Sequence, residues 1–126
     1  MYRFGWYATY KGNEYEFNRD MDKNSIIFTG DIKLTDESFN YNHKAGFYRK
    51  IVDFKELSNV YCVSSFVIID GNKFLIVNEN NENYLIETGD REIAEKFGLE
   101  MVDKGCYEKW IPKEGVQIIE EKKMWK

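Results

Sequence analysis

The chain has one proline, one histidine and two cysteines in 126 residues, and each scarcity excludes something. The single histidine, His43, lies in an Asn-rich stretch and leaves no nucleophile–histidine pair for acyl-transfer chemistry. One histidine and two scattered cysteines, Cys62 and Cys106, do not make a zinc set. Both cysteines sit in apolar, strand-like contexts and read as buried thiols of a reducing compartment. Nothing approaches the roughly 18 apolar residues of a membrane span. The opening Tyr2-Arg3-Phe4-Gly5-Trp6 lacks the apolar stretch of a signal peptide. A cytoplasmic protein is therefore expected.

Basic excess is missing too. The net charge is −4, so direct nucleic-acid binding is not expected. Thr29-Gly30-Asp31 and Thr88-Gly89-Asp90 contain neither a glycine run nor a Lys-Ser/Thr pair, so they are not phosphate loops. Asp20 and Asp22 lack the further ligands of a calcium loop. Asp70 and Glu87 lack the Glu-x-Lys that would complete a metal-dependent nuclease, since Glu87 runs into Thr88-Gly89 and Glu108-Lys109 has no spacer. No enzyme, metal or cofactor is expected.

What the chain does have is aromatic residues and an internal repeat. Aromatics make up 17% of the sequence, a composition that favours strands. Lys11-Gly12-Asn13-Glu14-Tyr15 returns as Asp70-Gly71-Asn72-Lys73-Phe74, an offset of 59 residues. At the same offset, 27–31 falls on 86–90 and 46–50 falls on 105–109. The chain reads as one domain built of two tandem units, 4–62 and 63–121. Each unit alone would be marginal in stability, so the two are expected to pack together and share a core.

Read in order, 2–10 is a strand, with Tyr2, Phe4, Trp6, Ala8 and Tyr10 on one face. Gly12-Asn13 and Gly71-Asn72 are expected to turn hairpins. Strands follow at 14–18 and 25–29, then 46–52, a tight turn at 53–59 with Leu57 tucked inward, and 60–63. The second unit repeats this at 65–69, 74–77, 84–88, 99–102, 106–111 and 116–121. Asp90 caps a short helix over 91–97 that Gly98 stops. The corresponding 32–44 has drifted and reads either as a tolerated loop or as the working surface, and 122–126 is expected to fray. The fold class is mainly β, a β-rich α+β arrangement of two antiparallel units with one short helix in the second. Residues 46–63, and more weakly 105–119, resemble an SH3-like small barrel. One merged antiparallel sheet is the alternative.

Two asymmetries point to binding surfaces. Fourteen of the 21 aromatics lie in residues 1–61, so some exceed what a small core needs. Tyr7, Phe39, Tyr41 and Tyr48 are the candidates for exposure and contact. The whole net charge of −4 falls in residues 63–126, where Glu79, Glu82, Glu87, Asp90, Glu92 and Glu95 crowd together and would recruit a basic partner. With its paired Gly-Asn hairpins and Thr-Gly-Asp motifs, this small, acidic, aromatic-rich profile is similar to the immunity proteins of bacterial toxin systems. The resemblance implies a non-enzymatic protein that neutralises a cognate, often basic, toxin or effector by direct binding. It carries no residue roles across. The richness in Lys, Asn, Ile, Glu and Tyr is that of an AT-rich bacterial or phage gene. The competing expectation is a small-molecule or nucleotide binder, such as a phage inhibitor of host defence, with Arg3, Arg19, Arg49 or Arg91 meeting phosphates.

Overall fold

Alternation decides the elements. In Asn13–Arg19 the sequence Asn-Glu-Tyr-Glu-Phe-Asn-Arg buries only Tyr15 and Phe17, the period-two pattern of a strand with one wet face. The same reasoning applies along the chain, and the computed structural model, which describes residues 2–126, is mainly β. Its strands are β1 (Gly5–Tyr10), β2 (Asn13–Arg19), β3 (Ser25–Thr29), β4 (Asn40–Asn42), β5 (Phe47–Val52), β6 (Leu57–Ile69), β7 (Asn72–Glu79), β8 (Asn83–Thr88), β9 (Glu100–Asp103), β10 (Cys106–Pro112) and β11 (Gln117–Met124). The one α-helix, α1, is Arg91–Phe97. All 11 strands join one antiparallel sheet, ordered β4-β5-β3-β2-β1-β6-β7-β8-β10-β9 with β11 paired to β6. Of the two expected arrangements, the merged sheet is the one found.

Chain contacts divide into two compact units, one of Gly5–Val63 with Lys122–Lys126, the other of Ser64–Glu121 with residues 2–4. Their elements recur at the 59-residue offset: β2 on β7, β3 on β8, β4 on β9 and β5 on β10. The backbone recurs with them. Lys11 and Gly12 have φ of 49° and 83°, and Asp70 and Gly71 have 48° and 78°. Two successive positive φ values make a type I′ hairpin, whose twist matches that of the strands it joins. This moves the expected turn by one residue. Lys11-Gly12 and Asp70-Gly71 are the turn pairs, while Asn13 and Asn72 pair with Tyr10 and Ile69 as first residues of the returning strands.

The first unit packs Ala8, Tyr10, Tyr15, Phe17, Ile27, Val52, Leu57 and Val60 into its core. The second packs Val67, Phe74, Ile76, Tyr84, Ile86, Ala94, Leu99, Tyr107 and Ile111, with Tyr2, Ile93 and Phe97 against them. The helix is where it was expected. The Asp90 side chain accepts from the Ile93 amide, and Gly98 closes the helix in the left-handed region. In the first unit, Asp31 caps a single 3-10 turn, Ile32–Leu34, which ends as the Thr35 amide bonds back to Ile32 O. The Thr35 hydroxyl donates to the same carbonyl at 2.7 Å. That local bond competes with helix propagation.

Three expectations are corrected. Residues 40–44 are not simply loop, because Asn40–Asn42 pairs with β5. Residues 2–4 do not extend β1. Tyr2 packs on Tyr84 of the second unit at 6.3 Å, and Phe4 is exposed. The end of the chain is not frayed. β11 runs to Met124, and the Trp125 and Lys126 amides donate to Val60 O at 2.8 and 3.0 Å.

Candidate functional site

With Tyr84, Ile86, Tyr107 and Ile111 turned into the core, alternation puts Leu85, Glu87, Cys106, Glu108 and Trp110 on the opposite face of β8 and β10. Register then aligns like charges. Glu87 lies directly opposite Glu108, and Glu108 opposite Glu100 on the edge strand β9. Three glutamates thus stand abreast on three neighbouring strands, an arrangement that opposes folding through repulsion between cross-strand neighbours. The fold does not require it. At the equivalent positions of the first unit the three acids are Phe28, Arg49 and Tyr41, and Phe28 packs its ring 5.3 Å from that of Phe47, the counterpart of Cys106.

The surroundings favour the protonated forms of Glu108 and Cys106. A carboxylate oxygen of Glu87, one of Glu108 and the Cys106 Sγ all lie within 4.8 Å of one another. The Cys106 thiol donates to Glu108 Oε2 at 3.9 Å. Burial first, then the hydrogen bond to Glu87 and the Glu87 charge, push the Glu108 carboxyl above the ordinary glutamate value. The hydrogen bond to Glu87 first, then burial, then the charges of Glu87, Glu108 and Asp103, push the Cys106 thiol up to about 11. Glu87, Cys106 and Glu108 are the one group of ligand atoms that converges in this way among the described residues. A cation there would have to displace the thiol proton.

Beside the cluster lies an open depression of about 410 Å³, bounded by Leu85, Glu100, Val102, Glu108 and Trp110. The Trp110 side chain is 45% exposed, and Val102 is more exposed still. The result is one surface combining a large aromatic, aliphatic neighbours and a row of acids.

The thiol makes a direct chemical prediction. At pH 8, Cys106 is expected to react with iodoacetamide about a hundredfold more slowly than a free cysteine, because so little thiolate is present. Glu87→Gln removes the leading cause and should recover much of that rate. Mass-spectrometric peptide mapping of the alkylated chain measures both. A Cys106 that reacts at the rate of a model thiol would show that the cluster does not hold its proton.

Of the residues expected from sequence to bind, Glu87 joins this cluster. Glu79 instead pairs with Lys113 at 2.6 Å; that hydrogen bond holds its carboxyl below the usual value. Asp90 caps α1, Glu95 pairs with Arg91 at 3.2 Å, and Glu82 and Glu92 are exposed. Among the aromatics, only Tyr41 is well exposed. Its ring lies 4.8 Å from that of Tyr48, and the two belong to paired strands. Tyr48 is half-buried, and Tyr7 is half-buried and stacked on Tyr61. Phe39 corrects the expectation of exposure. It packs against the first core, stacked on Tyr15 at 5.8 Å. Sequence reasoning missed Glu100, Cys106, Glu108 and Trp110. The available signal was the repeat itself, since Phe28, Phe47 and Arg49 become Glu87, Cys106 and Glu108 at the 59-residue offset.

No helix among the described residues is long and apolar enough to cross a membrane. No curated protein and no solved structure matches the chain. The model of one family, described as Uncharacterised conserved protein UCP033725, matches residues 2–126, and the chain belongs to that family.

Proposed function

We propose that this chain is a non-enzymatic, cytoplasmic binding protein that neutralises a basic bacterial toxin or effector by direct contact. The observation that carries the reading is the row of Glu87, Glu108 and Glu100 in cross-strand register beside the exposed Trp110. A ladder of like charges opposes folding, and a partner's lysine or arginine laid across it turns that repulsion into attraction. Trp110 supplies the large, rigid anchor that dominates interface energetics. The raised Glu108 carboxyl adds a signature: a docked cation favours its ionised form, so binding weakens as pH falls through the Glu108 value.

The test is capture of a partner by the tagged chain from its native lysate, native mass spectrometry of the complex, and titration of the purified pair. The reading requires a stoichiometric basic protein. Trp110→Ala should weaken binding by roughly thirtyfold or more, and Glu108→Gln by about tenfold with loss of the pH dependence. Folding is separable from binding. Because Glu108 titrates higher in the folded chain than unfolded, its favourable contribution is complete below about pH 4.3 and is lost as pH rises through the folded value. Glu108→Gln should therefore be at least as stable as the parent at pH 7. Binding indifferent to both substitutions would remove this face from the account.

A second reading, a small-molecule or nucleotide binder, has one observation in its favour. A depression of about 530 Å³ beside the β4–β5 hairpin is lined by Tyr41, His43, Lys44 and Arg49, with no carboxylate. A chain that leaves its lysate without a protein partner but with a small extra mass would favour it.

A further inference from the structure

The first unit carries an aromatic cleft apart from both the acidic face and the β4–β5 depression. Trp6 and Trp125 meet edge to face at 5.6 Å, and Trp125 also packs on Phe17 at 6.2 Å and Phe54 at 5.4 Å. Two depressions share Trp6 and Trp125 as walls. One, of about 380 Å³, is completed by Cys62, Lys123 and Met124. The other, of about 170 Å³, is completed by Phe17, Asn18 and Arg19. The two tryptophans remain 44% and 50% exposed, which is a large indole surface to leave in water.

The charged side chains that line the cleft, Arg19 and Lys123, have one sign. The Arg19 guanidinium lies over Trp125 at 4.7 Å and over Phe54 at 4.8 Å. Neither Arg19 nor Lys123 is ion-paired among the described residues. The adjacent Asp20 carboxylate is occupied by Asn24. No Asp or Glu lines either depression. The unit's fold does not demand this arrangement either, because the positions equivalent to Trp6 and Arg19 in the other half are Ser65 and Asn78.

We infer that the Trp6–Trp125 cleft is a binding site for a small amphipathic organic anion. Its apolar body lies against the two indoles and Met124, and its carboxylate, sulfonate or phosphate is met by Arg19 or Lys123. Apolar walls with a few convergent polar groups are what such a site requires, and the larger depression has a volume in the range of ligand pockets. An acid brought to a guanidinium held on aromatic faces gains a charge-assisted bond in a partly dehydrated setting.

The test uses two probes of similar shape, the anion 8-anilinonaphthalene-1-sulfonate and the neutral N-phenyl-1-naphthylamine. The full chain should bind one equivalent of the anion saturably, about tenfold more tightly than the neutral probe, the effect of one charge-assisted hydrogen bond. Arg19→Gln and Lys123→Gln should weaken only the anion, and Trp125→Leu should weaken both. Lys123 is exposed and unpaired, so its variant keeps the test open if Arg19→Gln fails to fold. Location is read separately. In a Cys106→Ser chain, saturating anion should slow iodoacetamide modification of Cys62, which lines the cleft. Equal affinity for the two probes, or a Cys62 rate unchanged at saturation, overturns the inference. So does binding to anionic lipid vesicles without saturable binding of the free anion.

Discussion

Phe74→Ala is expected to lower the stability of the chain by about 3–5 kcal/mol, with a fall in Tm of roughly 10–20 °C for a protein of this size. Phe74 is completely buried in the second core, with its ring edge-on to Phe97 of α1 at 5.3 Å. Truncation loses the transfer energy of the ring, opens a cavity beneath the helix, and breaks an aromatic pair worth about 1 kcal/mol beyond its area. Urea unfolding followed by circular dichroism measures it, and a loss under about 1 kcal/mol would mean the core closes over the gap. The repeat supplies the control. Tyr15 occupies the equivalent position and donates its hydroxyl to Leu34 O at 2.6 Å. Tyr15→Phe should therefore cost about 1 kcal/mol, the worth of one hydrogen bond. The reverse change, Phe74→Tyr, would force a hydroxyl into a fully buried site packed against Phe97, and should cost more than its mirror image.

That asymmetry shows how much of the fold was readable. The offset of 59 residues located the strands and the helix, because period-two alternation, Asp caps and a terminal Gly act through short-range sterics and hydrogen bonds. The hairpins were displaced by one residue for a definite reason. Gly-Asn is a familiar turn pair, but the twist of the strands demands two positive φ values in succession, and Lys11 and Asp70 take the first of them. Lysine is not a residue that composition would select for the left-handed region. The end of the chain was misread because Lys122 and Lys123 look solvated. What holds the segment is Trp125, whose partners Phe17 and Phe54 lie far away in sequence.

The candidate site was less legible. Glu87 was visible because it belongs to a run of acids close in sequence. The acids that matter geometrically come from β9 and β10, and only strand order and register bring Glu100 and Glu108 beside it. Sequence proximity grouped Glu87 with Glu79 and Glu95, and both of those are neutralised locally by Lys113 and Arg91. A charge run counts charges without showing which are already paired. Trp110 was unremarkable until alternation on β10 placed it outward, two residues from Glu108.

Deleting residues 122–126 should destabilise the first unit by roughly 3–5 kcal/mol, and Trp125→Ala alone by about 2–3 kcal/mol. The Trp125 ring is half-exposed, so its loss removes about half the burial of a core aromatic, together with the Arg19 stacking worth about 0.5–1 kcal/mol. Deletion also removes the bonds of the Trp125 and Lys126 amides to Val60 O, and of the Val60 amide to Lys126 O at 3.2 Å, each worth about 1 kcal/mol. These contributions overlap, since the indole orders the backbone that makes the bonds, so the full effect falls below their sum. Hydrogen exchange at the Val60 amide separates the two. In Trp125→Ala it should speed up partially if the backbone stays paired, and in the deletion it loses its acceptor entirely. The parent and a chain ending at Glu121 would unfold at the same urea concentration if this segment frayed. A clear difference in midpoint with an unchanged m-value places Trp125 within the folded unit.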